Sequence, residues 1–225
     1  SVTHAIVVAV ITAGTVTVIE YARRHPDRRD AIRRNIGLVM VGLQIVYHAY
    51  WFGVRGEIQT SLPLHLCDLA GLVAAAAFLS PRPLLRTLLY FWGFSLSSLA
   101  FIIPVLDRGP AAMEFWMFWL SHWAIVGGAI YLVTVEGYRP TARSLGLALA
   151  VTLGYGLLMV PVNVALGSNY MYVGPVSPPA AFLGEWPFPR LPLLALSTAF
   201  LLAAAWVPWL FVPRHENGRE LSETG

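Results

Sequence analysis

Long apolar segments constrain this chain more than any other feature of its sequence. Several of them reach the roughly 20 residues that a helix needs to cross the hydrocarbon core of a bilayer. Only 12% of the residues are charged, whereas soluble globular chains carry about 25%. The composition therefore excludes a water-soluble domain, a nucleic-acid-binding protein, a collagen-like chain and a disordered chain. The apolar segments are 4–22, 36–54, 62–79, 84–103, 115–135, 144–166 and 191–212.

Each of these seven segments is predicted to form a transmembrane helix. Lipid offers no hydrogen bonds to the backbone, so a crossing segment must bond its own polar groups, as a helix does. The predicted fold class is all-α: a polytopic membrane helix bundle with seven transmembrane helices in a single domain, 1–213. This topology predicts a multi-pass protein of the cell membrane. Membrane phospholipids are then its surroundings and its expected substrate.

The basic residues indicate how the bundle is oriented. The chain contains no lysine, and all 15 of its basic residues are arginines. With seven helices, twelve arginines fall on one side of the membrane and only Arg55, Arg108 and Arg190 on the other. Cytoplasmic loops are enriched in basic residues. The N-terminus is therefore predicted to lie outside, and the polar tail 214–225 to lie in the cytoplasm.

One predicted outer loop, 167–190, is rich in prolines and aromatic residues. Proline prevents a regular helix, and tryptophan and tyrosine favour the headgroup level of a membrane. Two interpretations of the loop remain open: an interfacial loop, or a lid over a cavity that opens to the outer leaflet. Its aromatic residues are Tyr170, Tyr172, Phe182, Trp186 and Phe188.

Polar side chains inside the predicted helices fall at one depth. A charged side chain in the middle of a transmembrane helix costs about 2.5–3.5 kcal/mol on insertion scales, so each such residue requires a partner or a function. The polar residues of five helices lie in the outer half of the membrane, while the inner halves are nearly all apolar. This pattern predicts a polar pocket. Its members are His48, His65, Cys67, Asp68, Ser95, Ser97, Ser98, Ser121, His122, Asn163 and Asn169.

Helical geometry restricts which of these groups can meet. His65 and Asp68 are three residues apart and share a helix face, so Asp68 can hold the His65 imidazole in one tautomer. Cys67 lies about 200° around the same helix from His65. A base for Cys67 is therefore expected from another helix, with His122 and His48 as the candidates.

These residues also have a purely structural interpretation. A lone membrane cysteine is commonly a small packing residue, and a single cysteine excludes an intrachain disulfide and a multi-cysteine metal site. A histidine can bridge two helices, and Gln44, four residues before His48, is a plausible orienting partner for it. Asp68 is harder to explain in this way, because a carboxylate in lipid requires a partner or a proton.

Four short motifs resemble the YwaF-like family of integral membrane proteins. They are Leu62-Pro-Leu-His-Leu-Cys67, Phe118-Trp-Leu-Ser-His122, Asn169-Tyr-Met171 and Gly184-Glu-Trp-Pro187. The resemblance implies kinship with a vertebrate transmembrane acyltransferase that moves fatty acyl chains between phospholipids through a membrane cysteine. By this resemblance, Cys67 matches the acyl-accepting cysteine and His122 the base.

The polar layer and the resemblance together favour an enzyme, a cysteine-dependent lipid acyltransferase or acyl hydrolase that works at the outer leaflet. His122 is expected to deprotonate Cys67, which forms a thioester that a lysolipid hydroxyl or water then resolves. His65 held by Asp68, or a pair of serines, would stabilise the oxyanion, and no cofactor or metal is required. The expected substrate-binding residues are Gln44, His48, Ser97, Ser98, Asn163, Asn169, Tyr170 and Trp186.

Two other function classes remain open. Three or four nitrogen and oxygen ligands suffice for catalytic zinc, so a metal-dependent membrane hydrolase would use His48, His65, Asp68 and His122. A non-enzymatic transporter or receptor would use intramembrane histidine and aspartate to relay protons. Transporters of this kind commonly contain paired repeats, and the sequence has no internal repeat.

Overall fold

The computed structural model describes residues 2–56, 58–104, 106, 108–176 and 180–212. Both ends of the predicted domain 1–213, and the predicted tail 214–225, lie outside these ranges. Within them the chain is all-helical. The helices are α1 (Val2–Arg24), α2 (Arg29–Tyr50), α3 (Ile58–Ser61), α4 (Leu66–Leu79), α5 (Pro83–Phe91), α6 (Leu99–Ile102), α7 (Met113–Thr134), α8 (Ala142–Leu166) and α9 (Arg190–Trp206).

Tighter or wider helical turns lengthen several of these helices. A π-helical turn, Trp51–Arg55, continues α2, and another, Trp92–Ser97, joins α5 to α6. Counted with these turns, six continuous helices in the described ranges are long and apolar enough to cross a membrane. This confirms the prediction of a multi-pass membrane protein. They are Val2–Arg24, Pro26–Val54, Pro83–Ile102, Met113–Thr134, Ala142–Leu166 and Arg190–Leu210.

The segment predicted as the third helix, 62–79, is not helical along its whole length. Its helix, α4, has 14 residues and is about 21 Å long at 1.5 Å per residue, well short of a bilayer core of about 30 Å. Pro63 lies in the non-helical stretch between α3 and α4, where its fixed φ and missing N–H oppose a continuous helix. The prediction of a helix from residue 62 was therefore wrong in its first turn.

α4 packs against α2 in the opposite direction. Gly37, near the start of α2, lies against the last turn of α4 so closely that a Cβ would come within 2.8 Å of a leucine side chain. Two turns further along α2, the Gln44 side chain occupies the space in which a Cβ of Gly71 would lie. The next turn of α2, at Tyr47, is therefore level with Asp68 at the start of α4.

The apolar core lies between α4, α5 and α7. The alanines of α4 let large side chains of the two neighbouring helices approach closely, and in lipid such packing is a main source of helix association. Members of this core with less than about 1% exposure include Ala74, Leu89, Phe91, Ile125 and Ala129.

Charged residues from separate segments meet at the end of the core where α2 begins. The Arg33 guanidinium donates to the carbonyl of Phe78 near the end of α4. Its Nε also lies 3.8 Å from Oε1 of Glu136, just after α7, and Nη2 of Arg86 lies 3.1 Å from Oε2 of the same carboxylate. Burial raises the pKa of Glu136, and the two guanidinium groups oppose that rise. This cluster joins α2, α4, α5 and α7.

The substitution R33A should destabilise the bundle by about 1.5–3 kcal/mol, because it removes a charge-assisted hydrogen bond to a helix end and one partner of a largely buried carboxylate. The free energy of unfolding in mixed detergent micelles measures this effect. R28A is the matched control, since its ion pair with Asp27 is mostly exposed and should contribute at most about 0.5 kcal/mol. Equal losses in the two variants would contradict the role of Arg33.

Candidate functional site

α4 begins deep inside the bundle, and this position defines the candidate site. Beyond Tyr47, α2 and its π-helical turn continue for eight more residues, about 12 Å. On the other side of the segment, the Tyr155 hydroxyl of α8 donates to the Leu64 carbonyl at 2.9 Å. Non-helical backbone at membrane depth is tolerated where protein buries it or where it lines a cavity. The stretch before α4 meets this condition because α2 and α8 enclose it.

Asp68 caps the start of α4 and also contacts the thiol. Its Oδ2 accepts a hydrogen bond from the backbone N–H of His65 at 3.1 Å, which satisfies a donor that a helix start leaves free. Its Oδ1 lies 4.0 Å from Sγ of Cys67, with the thiol as donor. The Tyr47 hydroxyl also lies near this carboxylate. Although Asp68 is only 7% exposed, its carboxylate thus has the partners that a buried charge requires.

The His65 imidazole faces two tyrosine rings of the segment after α8 and not the Asp68 carboxylate. Its ring centroid lies 5.1 Å from that of Tyr170 and 5.6 Å from that of Tyr172. The expected contact between the imidazole and the carboxylate does not form. The backbone N–H of His65 binds the Asp68 carboxylate in its place. The reason is that His65 precedes α4 with an extended backbone, so the spacing rule for a helix face does not apply to it.

Asn163 holds the loop that carries these tyrosines. It is fully buried near the end of α8, and its Nδ2 donates to the Tyr170 carbonyl at 2.8 Å. Its Oδ1 accepts from the Tyr170 N–H at 2.7 Å and from the Ser168 hydroxyl at 2.8 Å. The Tyr170 hydroxyl in turn accepts from the Leu62 N–H at 3.1 Å and donates to the Ile58 carbonyl. Asn163 and Tyr170 therefore position the segment that leads into α4.

Two consecutive residues of this loop have left-handed backbone conformations. Met171 has φ of 56° and Tyr172 has φ of 63°, and such angles cost of order 1–3 kcal/mol each for residues with side chains. The bend turns Tyr172 toward the start of α4. Burial is the main reason that the pKa of Tyr172 is raised to about 12, and the Cys67 and Asp68 side chains contribute to the rise.

His122 and His48 lie on α7 and α2. The imidazole of His122 is buried, with Nδ1 2.8 Å from the Phe118 carbonyl and its ring centroid 4.3 Å from the Phe118 ring. Nε2 of His48 is buried and has no hydrogen-bond partner among the described residues. Within the same part of the chain, no hydrogen bond joins either imidazole to Cys67. The structure thus brings Cys67 together with Asp68, and it shows no hydrogen bond that would support the predicted role of His122 as base.

Further polar atoms near the site are buried without a partner. Oε1 of Gln44 and Oγ of Ser61 have none in the part of the chain that the structure describes, although these residues are only 5% and 3% exposed. Such orphaned atoms are uncommon and frequently mark the place of a water molecule or ligand. Gln44 lies against Gly71, one turn along α4 from Asp68. The site therefore offers unused polar atoms beside its carboxylate.

Of the four remaining predicted substrate-binding residues, Ser98, Asn169 and Trp186 make hydrogen bonds within the protein, and Ser97 is buried. The Ser98 hydroxyl donates to a backbone carbonyl one turn earlier at 2.8 Å, and Ser97 is buried in the π-helical turn between α5 and α6. In the outer loop, Oδ1 of Asn169 accepts a backbone N–H at 2.9 Å and the indole N–H of Trp186 donates to a backbone carbonyl at 3.0 Å. Direct contact of these four residues with a substrate stays a prediction.

The proposed metal ligands do not assemble. Among the described residues, no group of three or more histidine, cysteine, aspartate or glutamate side chains is arranged to hold a metal ion. His65 faces tyrosine rings and His122 bonds its own helix, so the four residues of the metal-dependent alternative remain apart. The structure gives that alternative no support.

Three tyrosines of the site were not expected from the sequence. Tyr47 lies near Asp68, Tyr155 bonds the Leu64 carbonyl, and Tyr172 lies against the ring of His65. Tyrosine is amphipathic and is common at membrane interfaces, so its presence in a helix end carries little information alone. For Tyr47 the sequence did offer a signal. It lies next to His48 and three residues after Gln44, so it belongs to the same polar end of α2.

Comparison with known proteins gives the chain a place among membrane proteins. The model of the TMEM164 family matches residues 1–210. An uncharacterized protein of Treponema pallidum (strain Nichols) is 32% identical over 118 residues, which are 51% of this chain and 48% of the relative. The match thus spans about half the length of that curated relative. No solved structure matches the chain.

The substitution N163L should destabilise the protein by about 2–4 kcal/mol, because it leaves the N–H and carbonyl of Tyr170 buried without partners. Unfolding in mixed micelles gives the free energy, and limited proteolysis reports release of the outer loop. S168A removes only one of the three bonds and should cost about 1 kcal/mol. An N163L variant as stable as S168A would show that Asn163 does not anchor the loop.

Proposed function

The chain belongs to the TMEM164 family, and we propose that it is a cysteine-dependent acyltransferase or acyl hydrolase of membrane phospholipids. The observation that carries the proposal is the position of Cys67, whose thiol lies 4.0 Å from a buried carboxylate at the start of a helix inside the bundle. A nucleophile beside a proton acceptor suits acyl transfer, and the apolar surroundings suit acyl chains that remain in the bilayer. Kinship with YwaF-like proteins and their vertebrate acyltransferase relative is part of this proposal.

The site is proposed to open toward the outer leaflet of the cell membrane. In this topology the broken segment from α3 to α4 is a seventh crossing, added to the six long helices. Support comes from the far end of the bundle, where Arg23 donates to the carbonyl of the last residue of α7 and Arg33 and Arg86 bind Glu136. Because arginines favour the cytoplasmic side, that end is assigned to the cytoplasm and the N-terminus to the outside.

In the first proposed step, Asp68 accepts the thiol proton as the sulfur of Cys67 attacks the ester carbonyl carbon. Burial disfavours a free thiolate, so proton transfer and attack occur together. Cys67 lies in the first turn of α4, where the positive end of the helix dipole stabilises the charge that develops on the sulfur. The carbon–sulfur bond forms, the carbon–oxygen bond of the ester breaks, and the protonated Asp68 returns its proton to the leaving lysolipid oxygen.

In the second proposed step, the thioester passes its acyl group to a hydroxyl. A lysolipid or a water molecule gives its proton to Asp68 and attacks the thioester carbonyl carbon. The carbon–sulfur bond then breaks, and the departing sulfur takes the proton back. The donors available to hold the ester and its oxyanion are the hydroxyls of Ser61, Tyr47 and Tyr172, and the unpartnered Oε1 of Gln44 can accept a hydrogen bond from the lysolipid hydroxyl.

Intact-protein mass spectrometry after incubation with phospholipid vesicles tests the thioester. The wild type should gain the mass of one acyl group in place of one hydrogen, and neutral hydroxylamine, which cleaves thioesters, should remove it. C67A should gain no adduct, because Cys67 is the single cysteine of the chain. Persistence of a hydroxylamine-sensitive adduct in C67A, or its absence from the wild type under all phospholipids tried, would refute the mechanism.

The rate of the same acylation distinguishes the candidate bases. D68N should slow it by about 10²-fold or more, the usual range for loss of a general base, whereas H122Q should change it far less. D30N is the matched control, because its carboxylate is 97% exposed at the far end of the bundle. If H122Q stopped acylation while D68N did not, His122 and not Asp68 would be the base.

A further inference from the structure

A cavity of about 630 Å³ lies between α1, α2 and α7, in the half of the bundle remote from Cys67. This volume is typical of small-molecule sites, which range over about 300–1,000 Å³. Its walls are almost entirely apolar and include Ile19 of α1 and Ile36 and Met40 of α2. On α7 the small residues Ala124, Gly127 and Gly128 leave space between the two large lining residues Trp123 and Tyr131.

The cavity opens sideways, on the surface that faces the bilayer. Val39 of α2 and Tyr21 of α1 both line it, and they are 64% and 46% exposed. α1 is held to α7 by a hydrogen bond of 2.7 Å from Nε1 of Trp123 to Oγ1 of Thr15, two further lining residues. The gap between α1 and α2 is therefore the mouth of the cavity, where it meets the acyl chains of the membrane.

Two arginines, Arg24 and Arg29, lie at the end of this mouth where α1 ends and α2 begins. Arg24 follows the lining residue Tyr21 by three positions on α1, and Arg29 precedes the lining residue Ile32 by three on α2, so each arginine shares a helix face with a wall of the cavity. Nε of Arg29 donates to the Ala22 carbonyl of α1 at 3.4 Å, which places this guanidinium at the gap between the two helices.

Acidic residues nearby do not neutralise these two arginines. The stretch 20–36 contains six arginines and three acids, a net charge of +3. Each acid pairs with a different arginine, and neither Arg24 nor Arg29 has an acidic partner within the described ranges. The pairs are Glu20–Arg23, Asp27–Arg28 and Asp30–Arg33.

We propose that the cavity binds an acyl chain of an anionic phospholipid from the arginine-rich side of the membrane, with the lipid phosphate held by Arg24 and Arg29. The apolar walls accept the chain, and the sideways opening lets it enter from the bilayer. Charge complementarity selects the anionic headgroup, because the cation of a zwitterionic lipid offsets the attraction of its phosphate. The site is separate from Cys67 and does not depend on acyl transfer.

Native mass spectrometry of the full chain, reconstituted in bilayers with equal amounts of phosphatidylglycerol and phosphatidylcholine, tests the proposal. The wild type should retain one phosphatidylglycerol in preference to phosphatidylcholine. The double variant R24Q/R29Q should reduce this preference by about tenfold or more, the effect expected of two arginines near an anionic headgroup. R82Q/R143Q removes two exposed arginines that do not line the cavity and should leave the preference unchanged.

A second pair of variants tests the cavity itself. V39W places an indole at the mouth and should lose the retained lipid. I45W is its matched control, since Ile45 lies on the same helix, is also 64% exposed and does not line the cavity. Both positions face lipid, so both variants should elute as the wild type does in size exclusion. Equal retention of the two lipids by the wild type, equal retention by V39W and I45W, or a lipid-free dimer would overturn the proposal.

Discussion

The inability of lipid to hydrogen-bond the peptide backbone is the constraint on which the rest of this structure depends. α4 starts within the bundle, so the free donors and carbonyls around its first turn must find partners inside the protein. Asp68 accepts from the His65 N–H, Tyr155 donates to the Leu64 carbonyl, and Tyr170 bonds the backbone of α3 and of the residue that follows it. The polar residues around this break therefore serve first to satisfy the backbone of a broken helix. Only their atoms without a hydrogen-bond partner remain available for chemistry.

The opposite end of α4 is held by charge. Arg33 binds its last turn and shares Glu136 with Arg86, so the helix is fixed at both ends by groups from neighbouring helices. A nucleophile on such a helix has a defined position relative to its carboxylate. α1, by contrast, is held mainly to α7, and the space that it leaves beside α2 is apolar and reaches the bilayer. The bundle thus combines a rigid polar site in one half with an open apolar cavity in the other.

Much of the fold could be predicted, because apolar runs of bilayer length leave a helix as the only structure with satisfied backbone groups. The ends of six long helices agree with the predicted segments to within a few residues at most positions, and α2 is the exception, since its helix starts seven residues before 36. The break at Pro63 was missed, because hydropathy does not distinguish a continuous apolar helix from an apolar segment that other helices enclose. Depth in the membrane also predicted that Cys67 and Asp68 share a polar pocket, but it gave no information on which side chains meet there.

The sequence by itself determined the class of protein and most of its helical segments, since these depend on the number and order of apolar residues along one chain, and it predicted a layer of polar residues at one depth. The tertiary structure decided the partners. His65 turns to Tyr170 and Tyr172 and away from the carboxylate, the thiol of Cys67 meets its neighbour Asp68, and Asn163 holds a loop. Such contacts depend on the rotation and depth of each helix against the others. Packing between distant segments sets both, and local spacing cannot encode them.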